Sequence, residues 1–247
     1  MTEEIFSKLD LGEYLEKFNS FLARQKPLFL QGDSKIHFEN ISELSKYDFK
    51  APDEIKELDD ALMRLSKQAV LHISEIYEFA KIIKYFSYLK KQKFEGRLGE
   101  WIAKVEIPEA MSQMANSFDE NGEFSDSVDE RFAAIKQAFS EKKRQIDAEL
   151  KKLIYSKHIT PYLVDTQTHY INSQEALLVR GGFNHALKGT VIARSSGGYF
   201  YVAPASTERL KKEQSELLDR KEEIIFEHCK KFSLQMSKNL LFLKFIN

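Results

Sequence analysis

Five of the ten glycines, Gly181, Gly182, Gly189, Gly197 and Gly198, fall in one short window, and the whole chain has only five prolines. Glycine and proline are the residues that stop helices and shape tight turns. Over most of the 247 residues, therefore, little interrupts the backbone, and long helices are predicted. The glycine-dense window is where strands and hairpins belong. A 43% hydrophobic and 30% charged composition is that of a globular, helix-leaning chain and excludes a disordered one. The length allows one or two domains. A net charge of −1 excludes a uniformly cationic surface, so any nucleic-acid contact must use local patches. Cys229 is the single cysteine; it excludes an internal disulfide and fits a reducing, cytoplasmic setting. The acidic start, Met-Thr-Glu-Glu, argues against a signal peptide, and no stretch approaches the ~20 apolar residues of a membrane span.

The apolar spacing predicts the elements. Residues 2–10 and 11–25 read as two short helices with Pro27 ending the second, and 28–50 as a connector with extended pieces. A helical block follows from 53 to 117. Ile55, Leu58, Leu62, Leu65 and Ala69 mark one helix, and Ile76, Phe79, Ala80, Ile83 and Phe86 the next. Gly96 and Gly99 mark a break, and Pro108 opens a short helix. Asp119-Glu120-Asn121-Gly122-Glu123 is a tight turn. Asp126 or Ser127 then caps a helix over 127–156, with Glu130 placed as in a capping box. Its stripe is Val128, Phe132, Ile135, Phe139, Ile146, Leu150 and Leu153, and Lys142 stands where the seam should continue. Residues 157–172 are polar and mixed. Ala176–Val179, Leu187–Ala193 and Tyr199–Val202 read as strands, the last two flanking a Ser195-Ser196-Gly197-Gly198 hairpin loop. Residues 205–245 form one long helix on Leu218, Ile225, Cys229, Phe232, Met236, Leu240 and Leu243. It ends while still apolar, as a helix cut inside a larger protein would, or as a natural C-terminal helix that docks its own apolar end would. The fold class is mainly α, a long-helix bundle with a small antiparallel β element over 174–204. The regions are 1–126, 127–173, 174–204 and 205–247.

No enzyme chemistry emerges from the spacing. The six histidines are scattered, and His228 and Cys229 point about 100° apart on a helix, so no metal set is predicted. Cys229 sits on an apolar seam. Carboxylate pairs such as Asp59-Asp60 and Glu222-Glu223 suit solvated helix faces, and the acidic turn lacks calcium-loop spacing. The Ser195–Gly198 loop reads as a hairpin turn or, alternatively, as an anion-binding loop. Basic patches are the functional lead. Lys142, Lys143 and Arg144, with Lys151 and Lys152, lie on one long helix; Lys230, Lys231, Lys238 and Lys244 lie on the other, beyond its last acid, Glu227. These cations suit phosphate contact, or they offset a helix dipole on solvated faces. Phe245 and Tyr199 can stack on bases, but packing explains both better.

The stretch Asp119–Ser127 resembles the DENGE-x-x-D-S turn of the MutS paralogues that suppress recombination, the second MutS type. Further on, Leu177-Leu178-Val179-Arg180, Gly189-Thr190-Val191, Ser195–Gly198, Tyr199–Val202 and Pro204 follow in order the strands and turns of the same branch. Ala193-Arg194, Ala203 and Lys211-Lys212 depart from it, standing where the family has His-Asp, Glu and paired Asn. The resemblance implies the N-terminal core and lever part of a MutS-type clamp. It also implies homodimerisation and binding of branched DNA, and an ATPase with ATP and Mg2+, and often a nuclease domain, outside this chain. The phosphate-binding G-x-x-x-x-G-K-[ST] pattern is absent here, so no cofactor is predicted for the chain itself. Its predicted role is a non-catalytic scaffold coupling that ATPase to a DNA clamp. The alternatives are ribosome or structured-RNA (rRNA) binding, and a purely structural helical module.

Overall fold

The computed structural model describes residues 8–9, 12–19, 34–172 and 174–247. The chain is mainly α with a small antiparallel sheet, and it divides into two compact units. One unit contains residues 1–128 and 225–247; the other contains 129–224.

In the first unit, helices α1 (Gly12–Asn19), α2 (Ser34–Leu44), α3 (Asp59–Ser66), α4 (Ile73–Lys91), α5 (Gly96–Lys104) and α6 (Glu109–Asn116) precede the acidic turn. Of the two helices expected before Pro27, only Gly12–Asn19 and residues 8–9 fall within the described residues. Helix α2 corrects the expected connector. Its apolar residues do not form a stripe, since Phe38 and Ile41 are exposed, so periodicity could not mark it. It is tied down by a charge instead: Glu43 accepts a hydrogen bond from the Leu98 N–H in the first turn of α5, where helix amides lack internal partners.

Helix α4 is the centre of this unit. Ile76, Phe79, Ala80 and Ile83 are buried along the expected stripe. The preceding helix begins only at Asp59, so Ile55 lies outside it. Phenols hold that irregular approach. Tyr85 donates to the Lys50 carbonyl at 3.0 Å and the Lys50 N–H donates to the Tyr88 oxygen at 3.0 Å. Burial, and secondarily the neighbouring Tyr88, push the Tyr85 hydroxyl pKa up. Gly96, expected as part of a break, opens α5 at φ +66°, and Gly99 lies inside that helix. In the acidic turn, Asp119 accepts from the Asn121 and Glu123 N–H groups, and Gly122 takes φ +81°.

The second unit begins at Asp129, which caps helix α7 (Glu130–Ile154) by accepting from the Arg131 N–H at 3.0 Å. The cap is thus neither Asp126 nor Ser127, and Val128 lies outside the helix. The Val128 N–H bonds back to the Ser125 carbonyl, which spends these residues on a turn. Ile146, Leu150 and Ile154, four apart on one face, pack on Leu163, Leu177, Val179 and Val202 of the sheet. Lys142, the interruption in the seam, reaches across to helix α8 (Ala205–Lys238) and pairs with Glu213 at 2.5 Å.

The sheet has four antiparallel strands in the order β1-β2-β4-β3: β1 (Leu163–Ile171), β2 (Gln174–Val179), β3 (Gly189–Arg194) and β4 (Phe200–Pro204). β1 extends the element beyond the expected start at 174. It is an edge strand with a bulge, and only Leu163 is buried, so it gives no alternating signal. The middle strand β2 is buried from Ala176 to Val179, as its continuous apolar run predicts.

Helix α8 belongs to the second unit up to Ile224 and to the first from Ile225. Its 34 residues span ~51 Å. Cys229, Phe232 and Met236 are buried as expected, whereas Leu218 is exposed. The single helix expected to 245 is divided. Asn239 leaves helical geometry (φ −109°, ψ 27°), and helix α9 (Leu240–Ile246) buries Leu243 and Ile246.

Candidate nucleic-acid interface

The lysines singled out in the sequence divide into two sets, one in each unit. In the first unit, Lys230, Lys231 and Lys238 are exposed on α8 and Lys244 on α9. Among the described residues, no ion pair engages any of them. The buried Cys229, Phe232 and Met236 face inward, which turns these cations to solvent. They share the outer face with the exposed Phe226 and Leu234, at i, i+4 spacing from Lys230.

In the second unit the basic run is partly committed. Lys142 is half-buried against Glu213, and Arg144 pairs with Glu141 at 2.6 Å. The Lys142 and Arg209 side chains hold the Glu213 carboxyl below its ordinary pKa, the hydrogen bond from Lys142 being the larger cause. Lys152 lies 3.6 Å from Glu149, while Lys143 and Lys151 are exposed.

A further basic surface lies at one end of the sheet, and the sequence reading did not single it out. The register places Leu163, Val179, Phe200 and Arg194 in one row across the four strands. Beyond that row stand Tyr162, the Arg180–Phe183 turn and the Ser195–Tyr199 hairpin. Arg180 is exposed, and its Nε donates to the Leu163 carbonyl at 3.1 Å. The Arg194 guanidinium lies 5.2 Å from the centre of the Phe200 ring. Tyr162 and Phe183 stack at 5.1 Å with planes 29° apart, and Phe183 remains 44% exposed. Tyr199 is also exposed. One sequence signal marks this place. No aspartate or glutamate occurs from Ala176 to Thr207, while Arg180, Lys188 and Arg194 do. Within that stretch the charged residues are all cations.

The hairpin loop is a turn. Ser195 N–H bonds to the Tyr199 carbonyl, Gly198 N–H to the Ser195 carbonyl, and Tyr199 N–H to the Ser195 hydroxyl, so these amides are spent internally. Lys211, at a position where the sequence departs from the family pattern, pairs with Glu175 at 2.9 Å. Cys229 is buried. Among the described residues, no three His, Cys, Asp or Glu side chains gather as a metal set. No helix among them is long and apolar enough to cross a membrane.

A cleft of about 560 Å3 in the first unit gathers several ionisable groups. Those groups hold the surrounding loops. Lys81 donates to the Glu54 carbonyl and pairs with Glu78, Lys84 donates to the Phe118 carbonyl, and Lys50 pairs with Asp53. They position backbone, and no nucleophile–base pair is among them.

No family model matches the chain. It is similar to part of two curated proteins. It is 31% identical over 246 residues to the endonuclease MutS2 of Helicobacter pylori strain J99, covering 96% of this chain and 32% of that protein. It is 30% identical over 246 residues to the endonuclease MutS2 of Helicobacter pylori strain 26695, with the same coverage. The chain therefore spans about a third of the length of the curated relatives it matches. Similarity to one region of a MutS2 protein is what these comparisons show.

Proposed function

We propose that this chain is the non-catalytic, DNA-structure-binding scaffold of a MutS-like protein of the recombination-suppressor branch. Its targets are branched recombination intermediates. The observation that carries the reading is the sheet end where Arg180 and Arg194, engaged by no ion pair among the described residues, stand beside the exposed Phe183 and Tyr199. Phosphate neutralisation needs exposed, uncompensated cations, and the second unit concentrates them there. Lys143 is a further exposed cation of the second unit, and Lys230, Lys231, Lys238 and Lys244 are exposed separately on the first. Lys142 and Arg144 contribute less, because each already has a carboxylate partner. Similarity to a third of a MutS2 protein supports a division of labour. ATP and Mg2+ act in an ATPase outside this chain; the homodimer contact lies mainly outside it as well, and a separate nuclease domain there supplies the endonuclease activity. The long helices α7 and α8 serve as levers between that ATPase and the DNA, in the cytoplasm.

The test is binding of the purified chain to a four-way junction, a duplex and ribosomes across a salt series. The junction is expected to bind most tightly. Arg180→Glu with Arg194→Glu should lower junction affinity at least about tenfold and flatten the salt dependence by about two units of slope. Unchanged affinity in that double variant refutes the proposal. Tighter binding to ribosomes than to junctions moves the function to structured RNA, and no salt-dependent binding leaves only a structural module.

A further inference from the structure

Trp101 is the chain's single tryptophan, and it is 48% exposed on α5. Its ring lies 6.3 Å, centroid to centroid, from Phe245 on α9 and 6.4 Å from Phe86 on α4. Phe245 is itself 56% exposed while it packs on Trp101, and Leu241, one turn earlier, is 86% exposed. A half-open row of aromatic rings is surface of the kind that meets a ligand.

Exposed cations flank this row. Arg97 and Lys104 lie four residues before and three after Trp101, on the same helix face, and Lys244 adjoins Phe245. All three are exposed, and no ion pair engages them among the described residues. The neighbouring acid, Glu100, points about 100° away around the helix. Asp59, near the end of α9, takes a hydrogen bond from the Asn247 amide at 2.7 Å.

Two copies of such a surface repel each other. The complementary partner carries flat rings and negative charge in alternation. An unpaired nucleic-acid strand does so, with bases that stack on aromatic side chains and phosphates that pair with Lys and Arg. A duplex hides its base faces inside its own stack. We infer that Trp101 and Phe245 form a stacking platform for an unpaired strand, with Arg97, Lys104 and Lys244 on its phosphates. This deepens the nucleic-acid reading, on which it rests, by adding single-stranded segments to the target. It uses a different surface from the sheet end.

Because Trp101 is the only tryptophan, its fluorescence reports this site alone. The full chain is titrated with a twelve-nucleotide oligo(dT) and with a duplex of equal length. Saturable quenching by oligo(dT), weakened by salt and much smaller with the duplex, is expected. Phe245→Ala and the surface variant Lys244→Glu, each checked for an unchanged circular dichroism spectrum, should weaken oligo(dT) binding at least about fivefold. Absence of quenching overturns the platform. If a labelled four-way junction still binds at that point, the nucleic-acid reading survives; if it does not, both fall. Equal quenching by the duplex overturns the platform as well. So does a blue shift that grows with protein concentration alongside dimers in sedimentation, which would make the patch a contact between copies.

Discussion

Lys142 and Glu213 meet at 2.5 Å between Nζ and Oε2, joining the middle of α7 to α8. A cation interrupting an apolar stripe reads as a failure of the seam. In the structure it is a seam of another kind, with Arg209 reaching the same carboxylate at 2.9 Å.

That pairing sets a pH dependence. The Glu213 pKa is depressed below 4.5 by hydrogen bonds from Lys142 and then Arg209. A depressed carboxylate contributes stability that is present above its unfolded pKa and is lost as pH falls through its folded value. Glu213→Gln should therefore melt below the wild type at neutral pH, and the gap should close as the pH drops under roughly 4. Melting curves followed by circular dichroism measure it. A gap constant with pH would contradict the assigned cause.

The start of α7 offers a second test. Asp129→Ala removes the side chain that accepts from the Arg131 N–H, and about 1 kcal/mol of stability should be lost. Ser127→Ala should cost less, because Ser127 does not cap this helix. Urea titration of the two variants ranks them.

In the first unit, the Leu71 N–H donates at 2.9 Å to the Ser233 hydroxyl, and both residues are buried. Ser233→Ala leaves that amide without its acceptor, at a cost of about 1–3 kcal/mol. Ser237→Ala is the control. Among the described residues its hydroxyl bonds only to the Leu234 carbonyl in its own helix, and chemical denaturation should show little change.

Gly122 carries the acidic turn at φ +81°, and a Cβ there would stand 2.7 Å from the Tyr77 ring. Gly122→Ala should therefore destabilise by about 1–3 kcal/mol through backbone strain and ring displacement together. Asn121→Ala, beside it, should be milder. Equal denaturation midpoints for the two would count against the turn geometry.

The legible parts of this fold are those where one physical signal dominates. The α4 stripe of Ile76, Phe79 and Ile83 and the buried run of β2 were readable because apolar spacing alone determines them. Helix α2 was not, because the carboxylate of Glu43 secures it and its Phe38 and Ile41 face outward. β1 was missed because an edge strand buries one residue, Leu163, and a bulge breaks its alternation. The α7 cap was displaced because Asp126, Ser127 and Asp129 are all competent caps, and only the turn at Ser125 decides among them. At the candidate interface, clustered lysines were visible as runs. Arg180 and Arg194 were not, since fourteen positions separate them and strand register brings them to one end. What could have marked them was a missing residue type, the acids absent from Ala176 to Thr207.

Asn239 governs the direction of the final residues. Its side-chain amide donates at 2.9 Å to the Gln235 carbonyl, the acceptor that an uninterrupted helix would satisfy with the Asn239 backbone N–H, which here bonds to the Met236 carbonyl instead. The bend thus leaves that oxygen satisfied, and one amide steers the rotation that seats Leu243 and Ile246. An alanine at this position would take away the substitute donor and favour the straight continuation, unseating both anchors and carrying the Phe245 ring off Trp101.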